Sequence, residues 1–180
     1  MTDILGERPL GVTLILGGAR SGKSAFAESW IEAHGSGLYL ATAQALDDEM
    51  SDRIQAHKRR RGGAWEVVEE PLDLAPVLRH NTRWERPVLV DCLTLWLSNL
   101  MLADRDIDEA VLDLAGALGD LNGPVVFVSN EVGQGIVPDN APARRFRDEA
   151  GRLHQRIARV ADRVVFITAG LPRILKDEPK

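Results

Sequence analysis

Short apolar runs alternate along the chain with longer segments in which apolar residues recur at helical spacing. Several of the runs are continuous rather than alternating, as is typical of strands covered on both faces of a mostly parallel sheet. The predicted strands are 12–17, 37–42, 65–70, 87–93, 124–130 and 163–170. The predicted amphipathic helices are 22–34, 47–61, 107–119 and 142–161. The alternation of strands and helices predicts a layered α/β domain.

The length of the chain favours a single domain. With 180 residues it can bury one full hydrophobic core, and it is too short for two comfortable ones. No internal repeat or low-complexity segment divides it. We therefore expect one domain at residues 11–176, a flexible N-terminus at 1–10 and a loose tail at 177–180.

Composition and charge exclude several classes of protein. The formal net charge of −5 argues against a nucleic-acid binder, which is usually basic. No apolar run approaches the roughly 20 residues that span a bilayer, and the opening "MTDILGERPLG" does not resemble a signal peptide. Cys92 is the only cysteine, so no disulfide can form within the chain. We expect a cytoplasmic protein without a membrane span and without a nucleic-acid partner.

A glycine-rich segment carries the strongest chemical signal. The residues Gly17, Gly18, Ala19, Arg20, Ser21, Gly22, Lys23 and Ser24 match G-x-x-x-x-G-K-[ST] between a predicted strand and a predicted helix. Glycines allow the backbone N–H groups to approach and surround a phosphate. Lys23 supplies a charge for the outer phosphates, and the Ser24 hydroxyl can bind Mg²⁺. The segment predicts a nucleoside triphosphate site.

A glycine-rich phosphate-binding loop, or P-loop, needs a carboxylate at the end of a neighbouring strand to complete the set of ligands around Mg²⁺. Asp91 follows the apolar run of "PVLVDCL" and is the candidate. The alternative is an aspartate that only shapes a turn. Cys92 beside it is interpreted as a core residue, because nothing nearby suggests a metal cluster.

His57 lies in the polar stretch "DDEMSDRIQAHKRRRGGAW", on the same predicted helix face as Met50 and Ile54. Three interpretations remain open from the residues alone. It is an inert core histidine, a metal ligand without a second ligand at suitable spacing, or a nucleophile. A neutral imidazole can attack an α-phosphorus and release pyrophosphate, with Lys58 and the arginines after it stabilising the developing charge.

Several segments together resemble one enzyme family. These are "GGARSGKS", "LYLATAQALDDEM", "RIQAHK", "VLVDCLTLWLSNL", "SNEVGQGIVPDN" and "RRFRDEAGRLHQRIARVAD". In this order they are similar to the bifunctional adenosylcobinamide kinase/adenosylcobinamide-phosphate guanylyltransferase family of cobalamin biosynthesis, from about residue 12 to residue 176. The glycine loop is shared with many proteins, whereas the histidine segment and "NEVGQGIVP" are more specific.

The resemblance assigns residues to roles. It implies that His57 accepts GMP as a covalent intermediate and that Lys23 acts in catalysis. It implies a nucleotide site formed by Gly17 to Ser24, Thr42, Ala43, Gln44, Lys58, Arg59, Arg60, Arg61, Glu69 and Asp91. Lys58 and Arg61 are the more secure of the four basic residues. Ser24 and Asp91 are the expected metal ligands, with Mg²⁺ as the metal.

The fold expected is therefore an α/β P-loop NTPase domain of the RecA-like type, with a mostly parallel sheet flanked by helices. The expected substrates are adenosylcobinamide, its phosphate, GTP and ATP, and the resemblance suggests a homotrimer. The chain lacks the N-K-x-D pattern that reads guanine in many GTPases, so the preference for GTP rests on the resemblance alone. The triphosphate used in the kinase step is open.

Other interpretations and residues stay undecided. A plain P-loop kinase with a structural His57 is one rival, and a nucleotide-dependent switch is another. Asn130 and Glu131 lie in a predicted loop at the carboxyl edge of the sheet, where ligands bind in open α/β sheets. They contact either the corrinoid or another subunit. Arg144 is expected at a solvated helix start, and His154 is expected to be structural or exposed.

Overall fold

The computed structural model describes residues 9, 11–44 and 65–178. In this part of the chain there are seven strands and five helices. The strands are β1 (Val12–Gly17), β2 (Gly37–Ala41), β3 (Trp65–Glu69), β4 (Val88–Asp91), β5 (Val125–Asn130), β6 (Arg163–Thr168) and β7 (Leu171–Asp177). The helices are α1 (Lys23–Glu32), α2 (Leu74–Asn81), α3 (Leu93–Leu102), α4 (Ile107–Ala117) and α5 (Ala141–Val160).

The seven strands form one sheet in the order β3-β2-β4-β5-β1-β6-β7. Strands β1 to β6 are mutually parallel, and β7 pairs antiparallel with β6 at one edge. The interior strand β1 is buried along its whole length. Its continuous apolar sequence is what a strand covered on both faces requires. The prediction of an α/β fold with a mostly parallel sheet is confirmed.

The helices divide between the two faces of the sheet. One core cluster joins Phe26, Ala27, Trp30 and Ile31 of α1 to residues such as Ile15 and Val126. The other cluster joins apolar residues of α2, α3, α4 and α5 to alternate positions of the same strands, such as Leu14 and Val125. Successive side chains of a strand point to opposite faces, so the interior strands β1, β2, β4, β5 and β6 each contribute to both cores.

Local sequence signals explain where two helices begin. Asp106 caps α4, with its side chain accepting the N–H of Glu109 at 3.0 Å. Asn140 caps α5 by accepting the N–H of Ala143 at 2.8 Å, and a proline follows in the first turn. Such caps satisfy N–H groups that have no partner within the helix. Both helices were predicted from the sequence.

Three elements were not predicted. The run predicted as a strand through residue 93 ends at Asp91, and Leu93 already begins α3. Helix α3 is almost entirely apolar, so its sequence has no clear helical period. Helix α2 has only eight residues. Strand β7 is an exposed edge strand, and it includes Asp177, which the sequence analysis assigns to the loose tail.

The predicted helix 47–61 and nearly all of the predicted flexible segment 1–10 lie outside the described residues. None of the described helices combines the length and the apolar character needed to cross a membrane.

Leucines on opposite faces of α4 test its packing. Leu114 is fully buried and Leu112 is 52% exposed on the same helix. We expect Leu114→Ala to lower the free energy of unfolding by about 2–5 kcal/mol, because it leaves a cavity in the core. The matched change Leu112→Ala should alter it by about 0.5 kcal/mol or less. Urea unfolding of both variants measures the difference, and equal losses would show that α4 does not pack as described.

Candidate nucleotide-binding site

The glycine-rich segment forms the loop between β1 and α1. Gly17 ends β1 and lies beside Asn130 of β5 and Ile167 of β6 in the sheet. A Cβ atom at Gly17 would lie 2.5 Å from the carbonyl oxygen of Ile167, too close for any side chain. Gly22 precedes α1 with a left-handed φ of 95°, a conformation that glycine adopts without steric cost. The motif therefore needs glycine at both positions for structural reasons.

The turn between β6 and β7 supports this loop. Gly170 donates its N–H to the carbonyl oxygen of Ser21 at 2.8 Å. A Cβ atom at Gly22 would lie 3.3 Å from the Cα of Gly170, so the two backbones pack closely. Ala169 and Gly170 both have positive φ, 51° and 77°. Sequence reasoning missed this contact, because it depends on a hairpin that the edge strand β7 completes.

Lys23 is held inside the loop. Its side chain is buried, and Nζ donates to the carbonyl oxygen of Gly18 at 2.8 Å. Burial lowers the pKa of the Lys23 ammonium group, and the negative charge of nearby Asp91 opposes this shift. The ammonium thus lies across the loop at the start of α1, where the helix N-terminus also favours an anion. This is the arrangement that the sequence motif predicts for a phosphate cradle.

Asp91 lies beside the loop, at the carboxyl end of β4. The Ser24 hydroxyl donates to Asp91 Oδ1 at 3.3 Å, and the Tyr39 hydroxyl donates to Oδ2. The structure brings together the two predicted metal ligands and adds Tyr39, which sequence reasoning missed. No feature of "GLYLAT" indicates that role, because it follows from the pairing of β2 with β4.

The donor set at this position fits Mg²⁺. Mg²⁺ keeps several waters and takes one or two protein oxygens together with substrate phosphates. A serine hydroxyl and one carboxylate beside a phosphate loop supply that set. Within residues 11–44 and 65–178, no three His, Cys, Asp or Glu side chains gather closely enough to hold a metal by themselves.

The residues after β2 and β3 lie at the same edge of the sheet. Thr42 is fully buried, and its hydroxyl lies 2.8 Å from the carbonyl oxygen of Asp91. The Asn99 side chain donates to the carbonyl oxygen of Thr42 at 2.7 Å. Ala43 and Gln44 are half-buried, and Glu69 is exposed at the end of β3. Thr42 therefore ties β2 to β4 and α3, and the nucleotide contacts of these residues stay predictions.

Polar residues after β4 and Asn130 at the end of β5 form a separate group. Asn130 donates to the Thr94 hydroxyl at 3.1 Å, and that hydroxyl lies 2.9 Å from Cys92 Sγ. Cys92 is buried, and burial raises the pKa of its thiol. The interpretation of Cys92 as a core residue agrees with this position. Its neutral thiol is not a candidate nucleophile.

A third polar group lies where β5 ends and consists of Ser129, Glu131 and His154. The Ser129 hydroxyl and His154 Nε2 of α5 are 2.7 Å apart, and both residues are buried. His154 Nδ1 lies 3.9 Å from Glu131 Oε2. Burial lowers the pKa of His154, and the Glu131 charge partly opposes this. Glu131 also donates its backbone N–H to the carbonyl oxygen of Gly17 at 2.9 Å, so the group adjoins the phosphate loop.

The loop 131–140 follows β5 at the carboxyl edge of the sheet, as predicted. Arg144 donates to the backbone carbonyls of Pro138 and Asp139 at 3.0 and 2.8 Å, so it holds the end of this loop. Two further predicted sites lie outside the described residues. They are His57 and the basic run Lys58, Arg59, Arg60 and Arg61, whose roles stay predictions.

The chain is similar in sequence to known proteins of one family. A family model described as cobinamide kinase / cobinamide phosphate guanyltransferase matches residues 13–175. The bifunctional adenosylcobalamin biosynthesis protein CobP of Pseudomonas aeruginosa is 52% identical over 169 residues, which are 92% of this chain and 98% of that protein. CobU of Salmonella typhimurium, which carries the same description, is 40% identical over 173 residues, 88% of this chain and 96% of that protein.

CobU of Escherichia coli, also described as a bifunctional adenosylcobalamin biosynthesis protein, is 38% identical with the same coverage. The match to the family model runs from β1 into β7 and includes the glycine loop, Asp91 and the network at the end of β5. The chain therefore belongs to the cobinamide kinase / cobinamide phosphate guanyltransferase family.

Proposed function

We propose that the protein phosphorylates adenosylcobinamide with a nucleoside triphosphate and then transfers GMP from GTP to the product. The final products are adenosylcobinamide-GDP and pyrophosphate. The observation that carries the proposal is a complete phosphate loop, with Lys23 and the Ser24–Asp91 pair in place, in a chain that matches the family model over residues 13–175.

In the kinase step, the described residues bind and orient the triphosphate. The loop N–H groups and the N-terminus of α1 surround the phosphates. The ammonium of Lys23 then stabilises the charge that develops when the γ-phosphoryl group is transferred to the aminopropanol hydroxyl. Because phosphoryl transfer depends largely on positioning and charge stabilisation, a loop fixed to β5, to β6 and to the turn before β7 suits it.

Ser24 and Asp91 would hold Mg²⁺, which neutralises phosphate charge when it is bound. Their hydroxyl and carboxylate oxygens already face each other at 3.3 Å, so little rearrangement is needed to share a cation.

In the second step, His57 is the proposed nucleophile toward the α-phosphorus of GTP. A bond forms between an imidazole nitrogen and the α-phosphorus, and the bond to pyrophosphate breaks. The adenosylcobinamide phosphate then attacks the same phosphorus and releases the histidine. Lys58, Arg59, Arg60 and Arg61 would stabilise the charge beside it, and Thr42, Ala43, Gln44 and Glu69 would complete the nucleotide site. The resemblance of "RIQAHK" to the family supports this assignment.

We also propose a cytoplasmic homotrimer. Ile136 and Val137 on the loop 131–140 are 97% and 59% exposed, which supports a contact between copies of the chain. Sedimentation equilibrium should give three times the mass of one chain, and Ile136→Ser should weaken the assembly. A wild-type monomer at micromolar concentration would contradict the proposal.

GTP labelled at the α-phosphate tests the covalent step. With Mg²⁺ and no corrinoid, we expect the denatured wild-type chain to retain the label. The label should be lost in acid and survive base, as a phosphoramidate does. His57→Asn should abolish labelling, because it removes the nucleophile.

The matched control for this experiment is His80→Asn, which changes an exposed histidine on α2 and should label like the wild type. If the wild type stays unlabelled while it transfers γ-phosphate to cobinamide, the protein is a plain kinase and His57 has a structural role. If neither transfer occurs but nucleotide is slowly hydrolysed, the switch hypothesis is supported instead.

Asp91→Asn tests the metal ligand. The change keeps the size of the side chain, and the amide can still accept from one hydroxyl group and donate to the other, but it removes the charge that attracts Mg²⁺. We expect the Mg²⁺ concentration for half-maximal kinase activity to rise about tenfold or more. Asp120→Asn, at an exposed position, is the matched control and should leave the dependence unchanged. An unchanged Mg²⁺ dependence in Asp91→Asn would remove Asp91 from the metal site.

A further inference from the structure

The polar group at the end of β5 has no part in the steps derived so far. Ser129 and Glu131 are two residues apart, so they face the same side of the sheet as the helix α5. On α5, His154 belongs to the buried stripe Ala150, Leu153, His154 and Ile157. A stripe of this spacing faces the core. The pattern thus brings a buried histidine between a buried hydroxyl and a partly exposed carboxylate.

The charges in this group favour one arrangement of protons. Desolvation keeps the His154 ring neutral at pH 7, so it carries one N–H. The Glu131 carboxylate favours that N–H on Nδ1, which faces it at 3.9 Å. We therefore assign Nε2 as the acceptor of the Ser129 hydroxyl at 2.7 Å. The hydroxyl fixes the ring, and the ring presents its N–H toward the carboxylate.

The order serine, histidine and carboxylate resembles a hydrolase triad, but the accessibility is reversed. Ser129 has no exposed surface, and His154 is 6% exposed. A substrate cannot reach the hydroxyl, so Ser129 is not a nucleophile. The accessible end is Glu131, whose side chain is 21% exposed at the carboxyl edge of the sheet. Ser129 and His154 therefore serve to position the carboxylate of Glu131, which is the accessible member of the group.

Resting on the proposed kinase function, we propose that Glu131 is the general base that deprotonates the acceptor hydroxyl and that His154 positions it. Glu131 adjoins the phosphate loop through the bond from its backbone N–H to the Gly17 carbonyl oxygen, at 2.9 Å. The oxygen of the acceptor attacks the γ-phosphorus and forms the new O–P bond. The bond from that phosphorus to the β-phosphate oxygen breaks, and a nucleoside diphosphate leaves. The hydroxyl proton moves to the Glu131 carboxylate and then to water.

Two other carboxylates at this edge, Asp91 and Glu70, are engaged elsewhere. Asp91 accepts from Ser24 and Tyr39, one hydroxyl on each oxygen. Glu70 accepts the backbone N–H groups of Leu72 and Asp73 at 2.8 and 2.9 Å. In Glu131, Oε1 accepts the N–H of Gly133 at 2.5 Å, which holds the carboxylate in place. Its second oxygen is the one that faces His154 and retains capacity to accept a proton.

The first test compares Glu131→Gln, Glu131→Asp and Glu149→Gln in two assays on the same preparations. These are γ-phosphate transfer to adenosylcobinamide and labelling of the chain from α-labelled GTP. Glutamine keeps the acceptor for Gly133 but cannot take up a proton. We expect kcat of the kinase step to fall about 100-fold or more in Glu131→Gln, with KM for the nucleotide and the labelling unchanged. Glu131→Asp should retain part of the rate, and Glu149→Gln on α5 should behave as wild type.

The second test addresses His154. Asparagine places an N–H donor close to the position of Nδ1, whereas leucine provides none. We expect kcat of the kinase step in His154→Leu to fall about tenfold at unchanged KM for the nucleotide. In His154→Asn the rate should return to near the wild-type value. If both variants lose activity in proportion to a loss of thermal stability, His154 is only a packing residue and the positioning role is overturned.

The outcomes separate this inference from the proposed function. If the wild type does not phosphorylate adenosylcobinamide, the proposed function fails. If the wild type does so and Glu131→Gln retains its kcat, only the assignment of the base fails. A loss of labelling together with kinase activity in Glu131→Gln would also overturn it, because a general base for the hydroxyl is not needed when GTP reacts with histidine.

Discussion

The parallel hydrogen bonds that hold β1 between β5 and β6 are the constraint on which the rest of the structure depends. They set Gly17 beside Asn130 on one side and Ile167 on the other. Because the carboxyl ends of parallel strands share one edge, everything that follows these three residues converges there. The phosphate loop, the loop 131–140 and the turn before β7 are therefore neighbours although they are far apart in sequence. A slip of one residue in either ladder would turn the inward side chains outward and separate them.

At that edge, the structure distinguishes polar groups that hold the backbone from polar groups that remain adaptable. The hydroxyl of Thr42 and the amide of Asn99 bond to backbone carbonyls inside the protein, where an unpaired polar atom would be costly. The partners of Asp91 are instead the hydroxyls of Ser24 and Tyr39. A hydroxyl can rotate toward a new acceptor such as a phosphate oxygen. The first set ties the strands together, and the second set would let the proposed cation and phosphates bind without breaking those ties.

Hydrophobic patterning was sufficient for most of the fold. The central strands have continuous apolar sequences, and α4 and α5 have clear amphipathic periods with side-chain caps. Helix α1 was predicted where it follows the glycine loop. Helix α3 was missed, and its first residue was included in a predicted strand, because "LTLWLSNLML" is apolar on nearly every face. Strand β7 was missed because an edge strand with exposed Leu171 and Leu175 lacks the alternation of a half-buried strand. These failures occur where burial is either nearly complete or nearly absent, since a period then carries little information.

The residues of the candidate site also divide into those that local sequence predicts and those that it does not. Gly17, Lys23, Ser24 and Asp91 were predicted because local sequence carries their chemistry, and the structure brings them together. Tyr39 and Gly170 were missed, because their contacts depend on strand order and on a hairpin that no local motif encodes. Two signals for the third polar group were present in the sequence. A serine stands in the buried run "VVFVSN", and His154 lies at helical spacing from Ala150 and Ile157.

The two proposed reactions differ in whether the attacking group must lose a proton. This difference explains why one carboxylate, at the end of β5, can serve as the base for the proposed sequence. A neutral imidazole has a free lone pair and attacks phosphorus without giving up a proton. A phosphate monoester is already largely ionised near pH 7, since its second pKa is about 6. An alcohol alone must be deprotonated as it attacks. Of the three nucleophiles in the proposed sequence, only the aminopropanol hydroxyl needs a base, so one carboxylate fixed beside Gly17 is sufficient for both reactions.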